Sequence, residues 1–217
     1  MVLKLYATPI AGGGSGIVAF VLAEKQIPFE LVPVDMSAGE RKGADFLALH
    51  PFGQIPVIDD DGFILYEGRA ICRYLAEKYA DEGTPFLPRE LQARALVEQA
   101  ASVEYANFYP AVAKLAVELI AKPRTGQPTN PTAVVEGHAA LSAVLDVYES
   151  ILAKHRFLAG DEFTLADAFH LVAAPRLAAE GVDFLTGKGP NVTRWWNELI
   201  TRPAWVKLKA EGVKGTV

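Results

Sequence analysis

One cysteine, Cys72, is all that 217 residues provide. That rules out an internal disulfide, a redox thiol pair or a thiolate-rich metal cluster, and it fits a reducing compartment. Long apolar runs are missing too. No stretch reaches the roughly 20 residues of a membrane span, and residues 1–10 break at Thr8 and Pro9, too early for the apolar core of a secretory leader. Charge of one sign is scarce: the formal net charge is −5 and the 21 Lys and Arg are dispersed along the chain, so no field exists to gather a nucleic acid. No internal repeat is found. The expectation is a soluble protein of the cytoplasm, with no nucleic acid, membrane or metal among its partners.

What the sequence does have is material for two cores: 51% of its residues are hydrophobic, 22% are charged, and the length suits two domains better than one. Leu3 to Tyr6 alternate as a strand, and Thr8 to Gly16 then supply a proline and four glycines before the apolar run Ile17 to Ala23. Phe29 to Val34, after Pro28, reads as a second strand, and a short helix is expected near Arg41 to Leu49. Ile55 to Ile58 and Phe63 to Leu65 flank the turn residues Asp59 to Gly62, and a further helix should run from about Glu67 to Tyr79. The order βαβ, helix, β-hairpin, helix predicts a four-stranded sheet with helices on its faces, a thioredoxin-like α/β domain over residues 1–80. Asp81 to Pro88, with Gly83, Pro85 and Pro88, falls in a linker over residues 81–89. In residues 90–217 the period changes. Leu141, Leu145, Tyr148 and Leu152 repeat at helical spacing, as do Leu115 and Leu119, so this part should be an all-α bundle with a loop from Lys122 to Thr132.

Three segments narrow the field: His50-Pro51-Phe52-Gly53-Gln54-Ile55-Pro56-Val57, Leu65-Tyr66-Glu67-Gly68-Arg69-Ala70-Ile71, and Phe157-Leu158-Ala159-Gly160-Asp161-Glu162-Phe163-Thr164-Leu165-Ala166-Asp167. In order and spacing they resemble the signature segments of the cytosolic glutathione transferases. With Arg41 and Lys42 ahead of the Pro-Phe-Gly-Gln stretch, the chain is most similar to the phi class of plants and fungi. The resemblance spans nearly the whole chain. It implies reduced glutathione as co-substrate, attack of its thiolate on a hydrophobic electrophile, and a homodimer into whose partner Phe52 would plug.

It also implies a set of contacts. Pro56 would be cis, turning the N–H and C=O of Ile55 outward to pair with the cysteinyl part of glutathione as an added strand, with Gln54 giving an amide contact. Glu67 precedes an apolar helical run, where N–H groups and the helix dipole would cradle the γ-glutamyl carboxylate. The next residue is Gly68 where relatives usually have Ser, which should lower affinity. Arg41 and Lys42 fall where the glycyl carboxylate is expected, although a solvated helix face has the same composition. Thr164-x-x-Asp167 is a capping box with a structural role.

The thiol needs a donor to lower its pKa. The phi pattern puts a Ser five residues after the first-strand tyrosine; counted from Tyr6, that position is Ala11. Gly12-Gly13-Gly14-Ser15-Gly16 follows, so the donor is Ser15, unless Ser15 caps its own helix, or else bare N–H groups of the glycine run. No Lys-Ser or Lys-Thr follows the run, so it is not a P-loop, and no Cys among residues 10–12 supports disulfide exchange. The second-substrate pocket is expected beside Ala11 and Gly12, with Phe108 and Tyr109 from a helix that Pro110 should kink; the same aromatic pair also suits a bundle core. Conjugation, with glutathione peroxidase activity as an extension, is the expected chemistry. A ligandin-type carrier of hydrophobic molecules is the alternative that Ala11 and Gly68 favour.

Overall fold

The computed structural model describes residues 2–36, 39–171, 174–179 and 188–217. The chain divides into two compact units, Met1–Leu87 together with Arg202–Val217, and Pro88–Thr201. The first unit begins with β1 (Leu3–Ala7), α1 (Gly13–Glu24), β2 (Phe29–Pro33), a 3-10 turn (Glu40–Lys42), α2 (Ala44–Leu49), β3 (Val57–Asp60), β4 (Phe63–Tyr66) and α3 (Gly68–Lys78). Its sheet has the order β2-β1-β3-β4. The β1–β2 pair is parallel, and the β1–β3 and β3–β4 pairs are antiparallel.

This is the expected thioredoxin-like arrangement, and its causes are local. In β1, Leu3, Leu5 and Ala7 are buried while Lys4 and Tyr6 are partly exposed, the alternation of a strand with one face on a core. Helix α1 is the parallel crossover, and Ile17 to Leu22 are all buried, so this helix is apolar on every side rather than on one stripe. Between β3 and β4 only Asp61 and Gly62 intervene, with φ of +56° and +89°, and Gly62 N–H donates to the Asp59 carboxylate at 2.8 Å. These are the left-handed residues of a tight hairpin turn.

The second unit contains α4 (Leu91–Val103), α5 (Tyr109–Ala116), α6 (Lys122–Arg124), α7 (Pro131–Leu152), α8 (Leu165–Ala168), α9 (Ala174–Ala179) and α10 (Pro190–Ile200). Two π-helical turns, Glu104–Phe108 and Val117–Ala121, join α4 to α5 and α5 to α6. Each stands just ahead of a proline, Pro110 or Pro123. Proline has no N–H for the carbonyl four residues back and its ring crowds that carbonyl, so a wider turn there relieves both problems. The expected loop therefore starts after Arg124 rather than at Lys122.

The centre of this unit is polar but satisfied. Asp167 accepts from Trp195 Nε1 at 2.9 Å, Leu158 N–H at 3.0 Å and Thr164 N–H at 3.0 Å, and it closes the predicted capping box. Burial nonetheless pushes its carboxyl above the ordinary range, against those hydrogen bonds. Tyr148 Oη lies 3.0 Å from His170 Nε2.

The last residues, expected in the bundle with the rest of residues 90–217, belong to the first unit. Arg202 grips the Glu24 carboxylate at 2.8 and 2.6 Å. Helix α11 (Pro203–Glu211) sets Trp205 edge-on to Phe20 at 6.0 Å. Beyond it, Val213 N–H donates to Pro9 C=O and Thr216 N–H to Phe29 C=O, both at 2.8 Å. Burial of Trp205 and Leu208 favours this return. Lys25, fully buried, fastens α1 to the end of α3 by donating to the carbonyls of Tyr79 and Glu82 at 2.8 Å.

Candidate functional site

At one corner of the first unit, helix α1, helix α3 and the loop ahead of β3 come within van der Waals contact. The Ile55–Pro56 bond is cis. A methyl group added to Gly14 would lie 2.7 Å from Pro56 Cδ, and one added to Gly68 would meet Gly14 Cα at 3.4 Å and Pro56 Cγ at 3.7 Å. Glycine is thus required at position 14 for the first turn of α1 to reach the proline, whereas position 68 has room for a small side chain.

Both helices present open starts here. The first intrahelical bonds run from Gly16 N–H to Gly12 C=O and from Ile71 N–H to Glu67 C=O. Neither helix has a side-chain cap: Gly12 cannot supply one, and Glu67 sits at φ +72° with its carboxylate in no capping bond. The N–H groups of Gly13, Gly14 and Gly68 therefore stand at the positive ends of two helices. Among the described residues, none takes the N–H or C=O of Ile55, and Gln54 and Glu67 are exposed beside it.

The cationic end is tied to the same loop by Gly53, which has φ +60° and lies so close to the Arg41 carbonyl that a Cβ would come within 2.6 Å of it. Arg41 Nε is buried and has no hydrogen-bond partner among the described residues, an orphan donor that fits an arriving carboxylate. Lys42 beside it is exposed. The corner thus has a bare peptide edge, open N–H groups and an acid at one end, and two cations at the other.

Other predicted residues fall differently. Ser15 is not the cap of α1; it lies inside the helix and is only 3% exposed. Ala11 and Gly12 are partly exposed, and no atom comes within 4 Å of a Cβ built on Gly12. In the second unit Phe108 is 1% exposed, with its ring 4.5 Å from His170 and 6.1 Å from Tyr148, so it is a core residue and not a pocket wall. Tyr109 is half-buried and stacks on Tyr105 at 6.2 Å. Cys72 is fully buried in α3 and burial pushes its thiol up to about 12, as befits a small core residue.

One residue that sequence reasoning passed over is His50, 1% exposed and stacked 4.3 Å from Tyr66. The signal was a side-chain acceptor two residues before the N–H of Phe52, at the head of a Pro-x-Gly turn. A groove of about 1060 Å³ in the first unit, between the end of α1, the start of β2 and α11, is lined by none of the predicted site residues.

Residues 15–78 match the family described as glutathione S-transferase, N-terminal domain, and residues 108–203 match the glutathione S-transferase, C-terminal domain. The chain is 46% identical to glutathione S-transferase 3 of Zea mays over 210 residues, which cover 96% of this chain and 93% of that protein. It is similar to the crystal structure of glutathione transferase F2 from Populus trichocarpa, with TM-score 0.91 and 38% identity over 97% of this chain and all of that one. It is also similar to glutathione S-transferase I from maize in complex with an atrazine glutathione conjugate, with TM-score 0.87 and 32% identity over 97% of each chain.

Proposed function

We infer the activity from one premise, that the chain belongs to the glutathione S-transferase family, in its phi class. It is a transferase that joins reduced glutathione to an electrophile. The thiolate sulfur forms a new bond to the electrophilic carbon, the leaving group departs with its electron pair, and the thiol proton goes to solvent.

The convergence of two open helix starts on the cis-Pro56 loop carries our assignment of the site. The cysteinyl backbone pairs with Ile55, the γ-glutamyl end meets Glu67 and the N–H of Gly68, Gln54 adds an amide contact, and the glycyl carboxylate takes the orphan Arg41 donor with Lys42. With Ala11 offering no hydroxyl and Ser15 buried, the thiolate is held by the N–H groups of Gly12, Gly13 and Gly14 at the positive end of α1. Each unit by which these lower the thiol pKa is about 1.4 kcal/mol of preference for the anion. Hydrophobic small molecules are the second substrates, with Ala11 and Gly12 on the electrophile side, and peroxide reduction is an extension of the same nucleophile.

A carrier role for hydrophobic ligands is the second reading, favoured by Ala11 and Gly68. Phe52, 74% exposed at the tip of the loop, suits a plug in a homodimer, and the cytoplasm is the expected compartment. The test is to titrate the thiol of bound glutathione by its ultraviolet thiolate absorbance and to assay conjugation of an aryl halide in the wild type, Ser15→Ala and Ala11→Ser. The expected result is a lowered thiol pKa in the wild type, little change in Ser15→Ala, and faster turnover in Ala11→Ser. A solution-like thiol pKa in the wild type, with turnover only in Ala11→Ser, would leave the carrier reading.

A further inference from the structure

His50 has every feature of a fastening and no place in the chemistry described so far. Its N–H donates to Phe46 C=O at 2.9 Å, ending α2, and its C=O accepts from Gly53 N–H at 2.8 Å, closing the turn His50-Pro51-Phe52-Gly53. Its side-chain Nδ1 accepts from Phe52 N–H at 3.3 Å. The ring stacks on Tyr66, 4.3 Å away and tilted by 29°. Tyr66 is the partner of Val57 across the β3–β4 ladder and the residue before Glu67. One imidazole therefore joins the turn that leads into Gln54, Ile55 and Pro56 to the strand end that delivers Glu67.

We propose that His50 is a positioning residue for glutathione, a latch that is closed while its imidazole is neutral and opens when Nδ1 is protonated. The proposal rests on the glutathione reading of the site. In the neutral ring the proton sits on Nε2 and Nδ1 receives the Phe52 N–H. Protonation turns Nδ1 into a donor facing a donor, and the bond is lost.

The neighbouring groups set the direction of the titration. Burial holds the imidazole below its ordinary pKa, opposed by the Glu67 carboxylate, the charged group that acts on it, and by a hydrogen bond to the residue's own backbone. The Tyr66 phenol is the other titratable neighbour. Because the closed latch disfavours the imidazolium, the open form of the latch takes the proton first as pH falls through about 6.5. The latch is intact above that value and weakens progressively below it.

The experiment is calorimetric titration of the full chain with S-methylglutathione, which has no thiol to titrate, from about pH 5 to about pH 7.5, a window in which its carboxylates stay ionised. Wild type, His50→Asn and His50→Leu are compared, with circular dichroism verifying the fold at each pH. Asn keeps an acceptor for the N–H two residues on but cannot titrate. The expected outcome is a wild-type Kd that rises about three- to tenfold toward low pH, the scale of one hydrogen bond. His50→Asn should stay close to the neutral wild type and flat with pH, and His50→Leu should be flat but weaker throughout. Parallel slopes for wild type and His50→Asn would overturn the latch, as would wild-type affinity in His50→Leu. If His50→Leu does not fold, the slope of His50→Asn decides. No saturable heat from the wild type at any pH would overturn the glutathione reading and the latch with it.

Discussion

The helix starts of the two units are built on opposite plans. In the second unit α4 begins under the Glu90 carboxylate, α7 under Asn130 Oδ1, α8 under Thr164 and Asp167, and α10 under Glu149, which accepts from Asn191 and Val192 N–H. Each of these four starts is closed by a side chain of the protein itself, whereas α5 and α6 continue from π-helical turns without one. In the first unit α1 and α3 begin at Gly12 and Glu67 with no side-chain cap. A helix that satisfies its own N–H groups stabilises a fold, and one that leaves them open keeps a favourable site for an anion. The difference separates residues kept for stability from residues kept for binding, and it can be tested by substituting one of each.

The largest expected effect is on the closed side. Asp167→Ala removes the acceptor of Trp195 Nε1 and of the N–H groups of Leu158 and Thr164, all buried. Stranding those donors should cost about 3 to 5 kcal/mol in urea unfolding, with glutathione affinity unchanged wherever the protein remains folded. A loss under about 1 kcal/mol would mean that the capping box is not what holds this region.

Next comes the open side, where the order of effects should invert. Glu67 occupies a left-handed conformation that glycine adopts without cost. Glu67→Gly should therefore leave stability within about 1 kcal/mol or raise it slightly. The Kd for glutathione, read by calorimetry, should rise about tenfold, the loss of one charged contact. A drop in melting temperature with unchanged affinity would assign Glu67 to the fold instead.

The smallest effect sharpens the comparison from the other direction. A Cβ at position 68 meets its neighbours at 3.4 Å or more, so Gly68→Ser fits and adds a hydroxyl at the open start of α3. Affinity should improve about threefold. No gain in the same titration would indicate that the N–H groups already saturate the carboxylate.

How much of this was legible depended on distance along the chain. The Asp61-Gly62 turn, the capping box and the cis bond before Pro56 are each specified within a few residues, and the structure has all three. Phe108 and Tyr109 were not separable, because the π turn at Glu104–Phe108 inserts an extra residue and rotates the helix face beyond it. Helical periodicity, counted at 3.6, loses its register there and cannot say which aromatic points inward. Ser15 looked like a cap because caps precede apolar runs, but the glycines allowed α1 to start earlier, at Gly13.

By itself the sequence determined the βαβ, hairpin and helix order, which follows from local pattern, while the missing hydroxyl at position 11 and the proposed peptide edge came from the resemblance to the phi class. Only the tertiary structure decided that Gly14, Pro56 and Gly68 touch, that Arg41 Nε is left without a partner, that Trp205 and the residues after it pack on the first unit, and that His50 bridges a turn to a strand end. The reason is physical. Backbone propensities act over a few residues, whereas close approach and the orphaning of a buried donor depend on groups brought together from distant parts of the chain.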